Sequence, residues 1–199
     1  MSAGSEVTLF AGGEWRDQTF TDLPLYGLDL ADTVFLGCTF RNCELEHVVL
    51  REARLAECRF ENCRLDLVIV DQARLQEVHF SDCRLTGIDF AGCQRLLLEL
   101  AFQRCVLQGC NFSELELPGI GFGASAVREC DFVGARLTEA DFEGVDLEGS
   151  LFHRTHLEKA RFVDASGFLI DPRENFLGDA LFSMPDAMRL LQAMDIRVQ

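Results

Sequence analysis

Written in blocks of five, the chain places a large apolar residue in one column from residue 20 to residue 90. The column reads Phe20, Leu25, Leu30, Phe35, Phe40, Leu45, Leu50, Leu55, Phe60, Leu65, Val70, Leu75, Phe80, Leu85, Phe90. After a miss the beat resumes two residues out of phase, at Phe102, Leu107, Phe112, Leu117, Phe122, Val127, Phe132, Leu137, Phe142, Leu147, Phe152, Leu157 and Phe162, and Leu177 and Phe182 keep that second phase. If this column is position i, all nine cysteines fall at i−2, in both phases. Chance would place them so with odds on the order of one in a million.

A period of twenty is nested inside the period of five. Phe20, Phe40, Phe60 and Phe80 are twenty apart, as are Leu25, Leu45, Leu65 and Leu85, and so are Phe102, Phe122, Phe142, Phe162 and Phe182. Along extended backbone, i−2 and i point the same way. The next inward residue comes three positions later, so each unit must turn a corner. Four sides and four corners close a square coil, filled by ladders of Phe and Leu with Cys, Ala or Val between them. Asn42, Asn62 and Asp82 stack at i+2, where tight corners suit such residues.

Bulk composition narrows the function. With 18 Lys+Arg against 33 Asp+Glu, the formal charge is −15, which repels phosphate polymers and argues against direct nucleic-acid binding. The chain is 48% apolar with 17 Phe, which excludes a disordered acidic tail. The opening "MSAGSEVTLFAGGEW" offers no signal peptide and no run is long enough to span a bilayer, so a cytoplasmic protein with no membrane association is expected.

Units such as "CDFVG", "ARLTE", "ADFEG" and "VDLEG", from Cys130 to Gly149, resemble those of the pentapeptide-repeat proteins, whose signature is A/C/S-D/N-L/F-x-x. The resemblance covers roughly residues 20–182. It implies an all-β solenoid, a right-handed quadrilateral β-helix, here of about eight coils with a short C-terminal helix. The handedness comes from the resemblance.

The open ends of such a coil need caps. At the N-terminus Phe10 and Trp15 stay in phase while Thr8 and Gly13 make poor i−2 partners, so a degenerate cap coil over residues 1–19 with Trp15 as its lid is expected. At the C-terminus Ser183 is the expected N-cap, with Pro185 in the first turn and Asp186 completing a capping box. Ala187, Leu190, Leu191 and Met194 give helical spacing, and Ile196 and Val198 alternate with Arg197 and Gln199 as an edge strand does. Phe182, Met184, Leu190, Leu191, Met194, Ile196 and Val198 form more apolar surface than one cap requires, which predicts a symmetric homodimer through residues 183–199.

The tail "AMRLLQAMDIRV" also resembles the C-terminus of topoisomerase-protecting pentapeptide proteins, a group that includes plasmid quinolone-resistance, mycobacterial fluoroquinolone-resistance and albicidin-resistance proteins. Asp195 stands where many of these have Gly. The lack of long loops places this chain nearer the loop-free members.

Enzymatic chemistry finds no support. The cysteines lack the close CxxC pairs of a zinc site and read as buried fillers. His47, His79, His153 and His156 point outward, and no phosphate loop or nucleophile elbow is present, so no cofactor and no metal is expected.

The surface is more informative. Glu139, Asp141, Glu143, Asp146 and Glu148 occupy outward positions in a stretch without one basic residue, and are the candidate partner-binding residues. A solvated face is the competing reading. Val34, Val49 and Ile69 are outward apolar residues, the last two stacked. A narrow acidic rod suits a basic channel built for DNA. With the resemblance, this predicts a DNA-mimicking dimer that binds DNA gyrase, with topoisomerase IV as a second candidate, and protects it from a gyrase-poisoning antibiotic. The alternative is a binding scaffold or regulator acting on a non-topoisomerase partner.

The missed beat, "GCQRLLLELAF", holds two surplus residues. It separates a first repeat block (20–93) from a second (102–182). Arg95 occupies an inward position where a charge is costly, so the backbone must leave the ladder. Good helix formers predict a helical turn over 94–101, with two or more leucines tucked back. A contact knob is the other reading of that segment.

Overall fold

The computed structural model describes residues 13–184 and 186–196, in two compact units, Met1–Leu100 and Ala101–Gln199. Thr8 and Phe10 of the expected cap coil, Pro185, and Arg197, Val198 and Gln199 of the expected tail strand lie outside the described residues. Each unit is a parallel β-solenoid; about eight turns are present in all, followed by one short C-terminal helix.

In the first unit, strands Glu14–Arg16, Val34–Leu36, Arg54–Ala56 and Arg74–Gln76 form one side. Thr19–Thr21, Thr39–Arg41, Arg59–Glu61 and Val78–Ser81 form a second, and Glu44–Glu46, Arg64–Asp66 and Arg84–Thr86 a third. The fourth has only the bridges Asp29–Val49–Ile69. The register is twenty throughout: Trp15 opposes Phe35, Phe35 opposes Leu55, and Phe20 opposes Phe40. Rings of Phe20, Phe40, Phe60 and Phe80 therefore stack at 5.0, 4.9 and 5.0 Å, close to the spacing of adjacent strands. Half-buried Trp15 meets Phe20 edge to face at 5.8 Å.

The corners explain the choice of residues. Asn42 and Asn62 at i+2 adopt φ of 54° and 53°, the left-handed region that Asn tolerates. Their amides form a ladder, Asn62 donating to Asn42 and Asn42 to Asp22, each at 2.9 Å. Some corners are closed by a hydrogen bond from the next i−2 N–H back to the carbonyl of i, as at Ala53 to Leu50 and Ala73 to Val70. Others are open, leaving both groups to find partners elsewhere.

A heteroatom in the coil above supplies both partners. Cys63 Sγ accepts from Cys43 N–H at 3.4 Å and donates to the Phe40 carbonyl at 3.3 Å. Cys83 Sγ does the same for Cys63 N–H and the Phe60 carbonyl. The buried cysteines are thus more than fillers: one thiol staples one open corner. All nine are free and buried. Burial pushes the Cys58 thiol up to about 11 and Cys93 up to about 12, so neither is poised to react.

In the second unit closed corners dominate, at Ala135, Ala140, Val145, Ser150, Ala160 and Ala165. The chain there is held mostly by isolated bridges, such as Asp131–Leu151 and Arg136–His156. Where a corner is open, oxygen replaces sulfur: Ser150 Oγ accepts from Cys130 N–H at 3.1 Å and donates to the Val127 carbonyl at 2.7 Å. Asn175 does so with two atoms, accepting from Thr155 N–H and donating to the Phe152 carbonyl. Two Phe ladders run side by side, with edge-to-face contacts such as Phe122–Phe132 at 5.9 Å.

Three expectations need correction. First, residues 94–99 form no helical turn; the helical turn lies earlier, a 3₁₀ segment at Phe90–Gly92 N-capped by Asp89. Leu98 N–H donates to the Arg95 carbonyl at 3.4 Å, leaving Leu96 and Leu97 at the tip of a turn, 80% and 66% exposed. Leu100 alone of that run is buried, and Leu98 is half-buried. With Arg95 already driven out, the two surplus residues make a single hydrogen-bonded turn that is not continued into a helix.

Second, the steady phase of Leu177 and Phe182 hides a break. Leu151 pairs with Leu169, two short of the usual twenty, while His156 pairs with Phe176 in the normal register, so a shortening and a lengthening cancel. Gly167 fills the i position at φ 72°, where a Cβ would lie 2.7 Å from Glu148 N, and the buried ring of Phe168 fills the core instead.

Third, Ser183 is not an N-cap. Its hydroxyl accepts from Asp164 N–H at 2.9 Å, and the helix, Met188–Ala193, begins after Ala187 with no side-chain cap. No helical residue is buried. Its exit is a Schellman motif, with Ile196 N–H on Leu191 O and Asp195 N–H on Gln192 O, and Asp195 takes the left-handed position at φ 61° that Gly favours. Ile196 is described but belongs to no strand.

Candidate protein-binding surfaces

The acidic candidates lie on two adjacent sides of the second unit. Asp141 and Glu143 flank inward Phe142, Asp146 and Glu148 flank inward Leu147, and Glu139 sits at the preceding corner with φ 63°. Asp141 and Asp146 also have a local task. Each accepts from the N–H two residues on, Glu143 at 3.1 Å and Glu148 at 3.2 Å. Asp131 does the same for Val133, and Asn111 for Ser113, so Asp or Asn at i−1 is first a backbone device.

Stacking brings bases that the linear stretch lacks. Glu139 pairs with Lys159 at 3.1 Å, Asp141 and Glu143 with Arg161, and Asp146 with Arg128 at 2.6 Å. Hydrogen bonding to Glu143 and Asp146 raises the Arg161 and Arg128 guanidinium pKa values further above their ordinary range. Among these five acids, only Glu148 makes no side-chain ion pair within the described residues. The patch is therefore acidic but partly neutralised, which the sequence window did not reveal.

Apolar surface is divided between the units. In the first, Val49 and Ile69 pair as expected; Ile69 and exposed Leu67, which lies over Gly87, border with His47 and Asp71 a surface cavity of about 450 Å³. Val34 lies on another side, between Glu14 and Arg54. In the second, Phe182 stacks on Phe162 at 4.9 Å yet stays half-buried, as do Leu190, Leu191 and Met194, while Met184 and Ile196 are exposed. Arg173 ties this end together, donating to the Ala193 carbonyl at 3.0 Å.

Among the described residues no group of three or more His, Cys, Asp or Glu is arranged to hold a metal. No helix is long and apolar enough to cross a membrane.

Comparison with known proteins agrees with this geometry. Residues 33–96 match a model of the pentapeptide repeat region, and residues 130–166 a model of pentapeptide repeats in eight copies. No curated protein sequence matches closely enough to count as a relative. Two trypsin-treated variants of QnrB1, a plasmid-mediated fluoroquinolone resistance protein, are similar in structure. One has 15% identity and a TM-score of 0.61 over 94% of this chain and 100% of that one; the other has 20% identity and 0.58 over 96% and 93%. At these identities the likeness is one of fold. The two repeat models, together with the twenty-residue register, establish that the chain belongs to the pentapeptide-repeat proteins.

Proposed function

We propose that the protein is a DNA-mimicking homodimer that binds DNA gyrase, with topoisomerase IV as a second candidate target, and protects it from a gyrase-poisoning antibiotic. The observation that carries this reading is a chain of net charge −15 whose units are stacked β-solenoids, the second with acids on adjacent sides, in the fold of a fluoroquinolone resistance protein. The half-buried Phe182, Leu190, Leu191 and Met194, with exposed Met184 and Ile196, are the surface through which two copies pair. Glu148 is the acid most available to a basic channel, since its exposed carboxylate caps no backbone group and makes no ion pair among the described residues, and Glu143 comes next, held only by Arg161.

The ion pairs to Lys159, Arg161 and Arg128 favour a second reading, in which this patch is a solvated face and the solenoid is a scaffold for a non-topoisomerase partner. Gyrase supercoiling with and without a fluoroquinolone or another gyrase poison separates the two. Rescue under drug, or inhibition at high protein dose, is expected; neither effect with any poison favours the scaffold. Arg128→Ala with Arg161→Ala unmasks the acids and is expected to raise the association rate with gyrase roughly tenfold at low salt.

A further inference from the structure

We infer that a cavity on the Arg54–Arg74 side of the first unit docks an acidic, apolar segment of a partner protein. The cavity measures about 320 Å³, and none of the described residues lining it is acidic, although acids outnumber bases almost two to one in this chain. Arg54 opposes Arg74 in the strand register, so two guanidinium groups face the same space. Like charges directly opposite are unfavourable unless an anion lies between them. No carboxylate among the described residues pairs with either. Arg74 Nε is held by Gln94 Oε1 at 2.9 Å, which fixes its direction while leaving its charge uncompensated.

The other wall is the turn carrying Leu96 and Leu97. It is anchored at both ends, by Gln94 N–H on the Ala73 carbonyl and Glu99 N–H on the Leu75 carbonyl. Leu97 sits at φ 60°, a conformation a leucine does not favour. A held turn therefore presents two exposed leucines beside two arginines. A carboxylate bridging the guanidinium pair, with an apolar neighbour on Leu96 and Leu97, satisfies both walls. A nucleic acid satisfies only one, and the surrounding acid repels it. The partner this cavity takes is acidic, opposite to a basic DNA channel, so this contact is separate from the gyrase contact and stands without it.

The test uses the full-length protein and a fluorescein-labelled hexapeptide, Asp-Leu-Glu-Leu-Phe-Glu, read by anisotropy at low salt, with its Asn/Gln counterpart and a short DNA duplex as competitors. The acidic peptide is expected to bind at least about tenfold more tightly than the uncharged one, and binding is expected to fall about tenfold in R54Q/R74Q and in L96S/L97S. Thermal unfolding of both variants identical to the parent shows that loss of binding is not loss of fold. Failure to bind at millimolar peptide, equal binding of the uncharged peptide, or binding unchanged in either variant overturns the proposal. Displacement by duplex as effective as by peptide also overturns it, in favour of a simple anion site.

Discussion

The two units reach the same inward ladder through different corners. In the first, open corners dominate and the backbone keeps mostly three-residue strands, with the thiols of Cys63 and Cys83 bridging the groups that two of those corners leave over. In the second, closed corners bond to themselves, small Ala or Ser residues follow them, and strands shrink to single bridges. The i−2 residue is thus matched to the corner beneath and before it. Cys63, Cys83 and Ser150 stand where a carbonyl and an N–H await a partner; Cys93 and Thr155 instead add a donor over corners already closed at Ala73 and Ala135.

The largest effect that sharpens this contrast comes from the ladders. Phe132→Ala removes a ring stacked on Phe112 and Phe152 and edged by Phe122 and Phe142, whereas Phe60→Ala removes one stacked on Phe40 and Phe80 alone. Both are expected to cost about 3–5 kcal/mol in urea unfolding, Phe132 the more. Equal losses would mean that the second ladder adds nothing.

Next come the staples. Cys63→Ala leaves Cys43 N–H and the Phe40 carbonyl without their partner and is expected to cost about 1–3 kcal/mol, with Cys63→Ser costing less. Ser150→Ala leaves the Cys130 N–H and the Val127 carbonyl in the same position and belongs in the same range. A cost-free Cys63→Ala would show that corner type, not the thiol, decides.

A smaller effect lies at the turn between residues 94 and 99. Leu97→Asn places a residue that tolerates φ 60° and is expected to raise stability by about 1 kcal/mol, at the expense of any contact made through that leucine. The smallest expected effect is none at all. Iodoacetamide at pH 8 should leave all nine thiols of the native protein unmodified and label all nine in denaturant, because the thiols are buried and burial holds Cys58 and Cys93 above that pH. Rapid labelling of a Cys in one unit alone would expose a looser coil there.

The ladder was legible because one column of large apolar residues repeats without a gap for seventy residues, with inward residues at alternate steps of two and three. Two of the ion pairs were legible too, had the period been applied to charges: twenty added to Glu139 gives Lys159, and twenty added to Asp141 gives Arg161, whereas Arg128 pairs with Asp146, eighteen residues on, and not with Glu148, which the period would pick. The break around Gly167 was not, because its shortening and lengthening sum to zero and leave Phe182 in phase. Nor was the fate of Ser183, which a helix cap and a neighbouring coil could each claim. The exposed leucines escaped because helix propensity says nothing about two residues at the tip of a single turn that is not continued into a helix.

Equilibrium binding of the full-length protein to DNA gyrase, followed against salt and against competing duplex DNA, bears most directly on the proposed DNA mimicry. The account predicts binding that weakens steeply as salt rises, is displaced by duplex, and is lost on reversing Glu143 and Glu148 to lysine. Binding that ignores salt, duplex and both reversals, or no binding at low salt, would contradict it.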